Sequence, residues 1–394
     1  NTSWWRYGSR EIFDNLDKSN LISLDIGTYY PLKGLSNNEL ASIASSQHLS
    51  QGFGRLSERG SQKEFIEYLK GEPLTDNENI FAGIDTTWKR IKGGNAIGEI
   101  LHDIENNFNF KNPSQHIPQL LEAYQLLQKI ENNHWKSLKT EALKTIIEMC
   151  AGLYLEVSSE TNWATQNETI TLNIEVLNRS NIPIVLVGIK NTENLNISKD
   201  IKLKENQKFT FKEAMVVSNT QQPTTPYWLT KKGTLGMYQV DDLNLIGLPE
   251  TPRTLKIDFN LVLNSVPITF SKNIIHRTSK PDKGEIYQPF EIIPEASAKI
   301  AENVIIFESD NQRDIAVVVK AGRDNLKGAI EISHPIDWNV YPEKQKVNIT
   351  HKGEGQILTF TVTPPKTQSE GYLKPLVHIN NNIYSKELIA IDYE

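Results

Sequence analysis

The apolar period changes once along this 394-residue chain, and that change limits what the chain can fold into. Up to about residue 155, apolar residues recur at helical spacing. After Ser159 they alternate. Thr169 to Asn178 sets Ile170, Leu172, Ile174 and Val176 against Thr171, Asn173 and Glu175, the pattern of a half-buried strand. Runs of the same kind lie at 183–189, 208–211, 255–262, 266–270, 304–307, 315–320, 328–332, 346–349, 356–362, 374–379 and 385–391. Turn signals such as Lys352-Gly353-Glu354-Gly355 and Asn380-Asn381-Asn382 separate them. Many short strands with no helices between them predict antiparallel β-sandwiches. The strands are too many for one sandwich, and Pro281, Gly284, Pro289 and Pro294 mark a break between two.

The helical part is equally explicit. Ser36-Asn37-Asn38-Glu39 has the form of a capping box, predicting a helix from about Asn37 to His48 that Gly52 and Gly54 close off. Phe65, Ile66 and Leu69 suggest a second helix from Ser61 to Lys70. Amphipathic stripes then predict helices over 98–108, 117–130 and 135–155, the pattern of a small antiparallel bundle. The expected architecture is a mixed multidomain chain with four parts. Residues 1–75 form a partial α/β tail and 76–157 an antiparallel helical connector. Residues 158–285 and 286–394 form two antiparallel, Ig-like β-sandwiches.

Composition narrows the function. A net charge of −6 with no basic block argues against nucleic acid as a partner. The apolar runs are far shorter than the ~20 residues of a spanning helix. Cys150 is the one cysteine and lies inside a helical pattern, which points to a small buried apolar residue. The eight histidines form no i, i+4 pair on a helix, and H-x-H, C-x-x-C and G-x-S-x-G are absent. No catalytic residue and no metal ligand is therefore assigned. Trp338 is expected in a core. Tyr227-Trp228 follows Pro223-Thr224-Thr225-Pro226 on a loop and is the candidate glycan contact, because sugar rings stack on aromatic faces.

Two resemblances add to this. The segment Asp337-Trp338-Asn339-Val340-Tyr341-Pro342, with the alternating strands after it, resembles NEW3-type accessory modules of glycan-active bacterial enzymes, although the same pattern serves as a general sandwich core. The stretches Asn1-Thr2-Ser3-Trp4-Trp5, Asp25-Ile26-Gly27-Thr28-Tyr29-Tyr30-Pro31-Leu32 and Ser46-Gln47-His48-Leu49-Ser50-Gln51-Gly52-Phe53-Gly54 resemble the C-terminal part of the LmbE/PIG-L deacetylase domain, in its multidomain Bacteroidota-type form. That family implies a secreted or periplasmic, zinc-dependent hydrolase that cleaves the C–N bond of an N-acetyl-amino-sugar. Its Ala-His-Pro-Asp-Asp-Glu metal motif matches no position here. The chain is therefore expected to be a fragment lying C-terminal to the metal motif, inactive by itself, with zinc belonging to the parent. Only the stretch Ser46 to Gln51 carries over from the family's pocket-closing segment, which puts His48 and Gln51 at the amino-sugar pocket, while Trp4, Trp5 and Tyr29 are candidate sugar contacts because sugar rings stack on aromatic faces. The rival expectation is a stand-alone carbohydrate- or protein-binding sandwich protein with no enzymatic role.

Overall fold

A computed structural model describes residues 15, 17–19, 21–72 and 79–390. It has the mixed multidomain architecture read from the period change, with short helices first and antiparallel sandwiches after. The chain divides into two compact units, Asn1–Gly98 and Glu99–Glu394.

In the first unit, β1 (Ile22–Asp25) is followed by β2 (Tyr29–Tyr30), β3 (Leu35–Ser36), α1 (Asn37–Ser46) and β4 (Lys63–Ile66). The capping box forms as its residues require. Ser36 Oγ accepts from the Glu39 amide, and Glu39 Oε2 accepts from the Ser36 amide at 2.9 Å. The helix predicted over Ser61–Lys70 is instead β4, which pairs antiparallel with β1. Asp25 decides this. Its Oδ1 accepts from the Gly27 amide at 2.8 Å and the Gln62 amide at 3.0 Å, fixing the chain extended just before β4. Hydrogen bonds from Ser61, Gln62 and Gly27 hold the Asp25 carboxyl below the usual carboxylate range. A Cβ on Gly27 would meet Gly60 O at 2.0 Å, so only glycine permits this approach.

Helix α2 (Asn95–Asn106) leads to α3 (Ile117–Leu127) and α4 (Asn133–Cys150). Helices α3 and α4 pack together, and Leu120, Leu127, Leu143 and Ile147 on them are buried. His116 is buried at the start of α3, stacked on Phe108, where Nε2 accepts from the Asn109 amide at 3.1 Å. The predicted helix over 135–155 stops at Cys150. Gly152 turns left-handed at φ +57° and its amide caps Met149 O. Leu153 onward is strand. Leu153 and Tyr154 continue the helical stripe, yet Leu153, Leu155 and Val157 also alternate, so these residues satisfy both periods.

Cys150 is 8% exposed and free, and burial pushes its thiol pKa up. In native protein it should resist a thiol reagent such as dithionitrobenzoate for hours and react within seconds in denaturant. Rapid native labelling would mean that the α4 C-terminus opens.

The first sandwich begins with β5 (Leu153–Ser159), β6 (Trp163–Ala164), β7 (Thr169–Asn178), β8 (Ile184–Lys190), β9 (Asn196–Leu203) and β10 (Phe209–Val216). It continues with β11 (Lys256–Leu263), β12 (Val266–Asn273), β13 (Ile275–Lys280), β14 (Gly284–Pro289) and β15 (Glu291–Ile292). One sheet has the order β10-β7-β5-β13-β14 and the other β12-β11-β8-β9, with β15-β6 as a short parallel pair. The alternation read along Thr169–Asn178 is the observed burial: Ile170, Leu172, Ile174 and Val176 are all buried. The Pro- and Gly-rich stretch read as a break carries the β13–β14 hairpin, so this sheet continues to Pro289.

The second sandwich comprises β16 (Ala296–Ile300), β17 (Arg313–Ala321), β18 (Leu326–Ser333), β19 (Asn339–Tyr341), β20 (Gln345–Ile349), β21 (Gly355–Thr363), β22 (Lys374–Ile379) and β23 (Asn382–Tyr384). Its sheets, β16-β17-β21-β19 and β20-β18-β22-β23, share one core containing Val317, Val319, Ile330, Val347, Phe360 and Val377. Trp338 packs at the rim of this core, half-buried, and its Nε1 donates to Ser369 Oγ at 3.2 Å. Among the described residues, two predicted strands are absent. Residues 304–307 alternate, with Ile305 and Phe307 on the core and Val304 and Ile306 exposed, but they join no sheet. Residues 385–390 join no sheet, although the Ala298 amide donates to Lys386 O at 3.2 Å, and residue 391 of the predicted strand lies outside the described residues.

The two sandwiches meet at Lys352, on the turn before β21. Its Nζ donates to Glu168 Oε1 at 2.6 Å and to Trp163 O at 3.1 Å, and lies 4.1 Å from the centre of the Trp163 ring. The Lys352 amide is held by Asp324 Oδ1 at 2.8 Å, and Gly353 supplies the left-handed residue of the turn.

Candidate functional site

The most unusual element is the connection from β10 to β11, residues 217–255. Compact domains rarely carry more than ~12–15 residues without strand or helix, and longer connections are generally functional or disordered. This one is ordered by its own hydrogen bonds. Thr224 is pinned to β15 by two bonds, its amide to Ile292 O at 2.7 Å and the Ile292 amide to its Oγ1 at 3.0 Å. Further out, Thr251 Oγ1 accepts from the Tyr227 amide at 2.8 Å and donates to Thr225 O at 2.9 Å. Tyr227 OH donates to Leu248 O at 3.1 Å, and Lys231 pairs with Asp241.

These bonds present Tyr227 and Trp228 on a single 3-10 turn, their rings edge to face at 4.8 Å. Opposite them come Tyr238, Val240, Ile246, Leu248 and Pro249, enclosing an open groove of about 500 Å³. Tyr238 is 65% exposed and Ile246 60%. Since Tyr227 OH is occupied by Leu248 O, the groove offers a partner ring faces and aliphatic edges. The sequence located the Tyr227-Trp228 pair. It did not locate Tyr238 or Ile246, which nothing in their local pattern marks and which reach the groove only because the loop doubles back.

The other site residues read from the sequence stand as follows. Trp4 and Trp5 lie outside the described residues. His48 is exposed just beyond α1, its Nδ1 3.0 Å from Gln51 Oε1 and its ring against Phe53. Tyr29 is 57% exposed and pairs with Ser36 across the β2–β3 hairpin. Among the described residues, no hydrogen bond or ring contact joins Tyr29 to His48. No three His, Cys, Asp or Glu side chains among the described residues converge as a metal site, so these residues do not fit the zinc that the deacetylase resemblance implies.

A charged group that sequence reading did not find lies on the five-stranded sheet of the first sandwich. Glu156 is buried and takes Tyr154 OH at 2.5 Å and Arg277 at 3.0 Å, with Glu175 and Glu285 nearby. Burial, reinforced by Glu156, pushes the Tyr154 hydroxyl well above its usual pKa. Each member of the group has a partner, which makes it a cross-strand brace.

No family model matches the chain, and no curated protein sequence does. Among solved structures, the D0-D1 domain of intimin aligns with 59% of this chain and 93% of its own length, at 10% identity and a TM-score of 0.19. The native conformation of E. coli alpha-2-macroglobulin aligns with 59% of this chain and 16% of its own length, at 10% identity and a TM-score of 0.21. The sandwich architecture stands on the sheet orders and buried cores described above. Among the described residues, no helix is long and apolar enough to cross a membrane.

Proposed function

We propose that this chain is a non-catalytic, contact-making part of a zinc-dependent N-deacetylase of LmbE/PIG-L type, secreted or periplasmic, acting on N-acetyl-amino-sugars. In this reading the metal and the hydrolysis belong to the parent, and the first sandwich holds glycan against it. The observation that supports the reading is the groove on the 217–255 loop. Its aromatic residues are set in place by hydrogen bonds before any ligand arrives, so little ordering entropy remains to be lost on binding. Sugar rings present apolar C–H faces, and ring stacking suits them.

The test is titration of the whole chain with a tetramer of N-acetylglucosamine, followed by calorimetry. Trp228→Ala and Tyr238→Ala should each weaken binding about tenfold, roughly the contribution of one stacked ring. Unchanged affinity in both variants would remove the groove from the proposal.

A further inference from the structure

Beside the aromatic groove, a second cavity of about 510 Å³ opens at the seam of the two sandwiches. That is the size of an ordinary small-molecule site. Trp163 and Trp228 contribute to its wall from the first sandwich, and residues 388–390 close it from the second. Its polar lining has a particular balance. Arg253 is 16% exposed and bonds Thr251 O and Glu291 Oε1, each at 2.6 Å, with Glu250 at 3.5 Å, while its Nε is buried without a partner. Two carboxylates thus share one guanidinium, and the cavity carries one net negative charge. Glu291 Oε2 is buried and has no hydrogen-bond partner, an acceptor that costs stability until it meets a donor. Glu250 is 72% exposed and free to turn toward a ligand. Gln288 adds an amide that can both donate and accept.

We propose that this seam binds an amino-sugar ring bearing a free ammonium group, in preference to its N-acetylated form. The ring would lie against the tryptophans and the ammonium would meet the uncompensated charge of Glu250 and Glu291. An acetamide in the same place is neutral and gains nothing from that charge. The inference rests on the glycan reading above and gives it a direction, since the deacetylated sugar is held where the acetylated one is not.

The experiment is calorimetric titration of the full chain with the glucosamine tetramer and the N-acetylglucosamine tetramer at neutral pH. The glucosamine tetramer should bind about fivefold more tightly, the scale of one partly exposed charge pair. Glu250→Gln, a change at an exposed side chain that the fold should tolerate, should remove most of that preference. Tyr238→Ala, in the groove alone, should leave it intact. Equal affinities, or a preference that survives both Glu250→Gln and Glu291→Gln, would overturn the proposal. Failure of the broader reading looks different: Tyr238→Ala, which touches the groove and not the seam, would then leave binding of the acetylated tetramer unchanged. If neither sugar binds, both proposals fall together.

Discussion

Replacing Phe360 by alanine should destabilise the second sandwich by about 3–5 kcal/mol, as removal of a fully buried aromatic side chain generally does. Phe360 is 0% exposed and lies on β21, opposite Ile315 of β17. It is among the largest fully buried side chains, and it belongs to a core formed by both sheets. The neighbouring strands are hydrogen-bonded on both sides of β21, so the backbone has little freedom to collapse into the space left behind. A loss of this size is a large part of the ~5–15 kcal/mol that holds a typical domain folded. Urea denaturation followed by circular dichroism should show the midpoint fall with the slope unchanged. Thr359→Ala, one residue away on the exposed face, should change stability by less than ~0.5 kcal/mol. A shift below about 1 kcal/mol for Phe360→Ala would mean that the two sheets do not share the core described.

The strand at Phe360 was readable because one face of it is buried and the other is not, and period-2 alternation reports that directly. The same holds for Ile170 to Val176. The period failed where a residue served two patterns or where pairing depended on distant chain. Leu153 and Tyr154 fit the helical stripe of α4, and only the left-handed turn at Gly152 ends it. Phe65 and Ile66 lie in β4 because Ile22–Asp25 waits for them, a partner some forty residues earlier in the register. Val304 to Phe307 alternates as a strand should, yet no neighbouring strand presents its backbone. The candidate site divides in the same way. A tandem Tyr227-Trp228 after a proline-rich turn is visible in one dimension. Tyr238 and Ile246, and the charge balance of Arg253, Glu250 and Glu291 at the seam, exist only once the 217–255 loop has folded back on β15.

Lys352→Met should uncouple the two sandwiches, and this is the prediction on which the seam depends most. The native ammonium has three attachments across the joint: the Glu168 carboxylate, the Trp163 carbonyl and the Trp163 ring. Lys352 is 18% exposed and Glu168 27%, so the pair is screened less than a surface ion pair and holds in moderate salt. A hydrogen bond to a charged group contributes about 1.5–3 kcal/mol, and methionine keeps the stem length while removing every donor. Glu168 would retain the Thr165 amide and hydroxyl on Oε2 but lose the partner of Oε1. The expected result by calorimetry is that one cooperative transition separates into two, with the first sandwich and the second unfolding independently. Glu168→Gln should act in the same direction, and the double variant should be no worse than Lys352→Met alone by more than ~0.5 kcal/mol, because both changes cut the same bond. Strictly additive losses would show that Lys352 and Glu168 act separately and that the joint is held elsewhere. The sugar preference at the seam should weaken in Lys352→Met although that residue touches no ligand, since Trp163 and residues 388–390 belong to different sandwiches and enclose the cavity only while the two are held together.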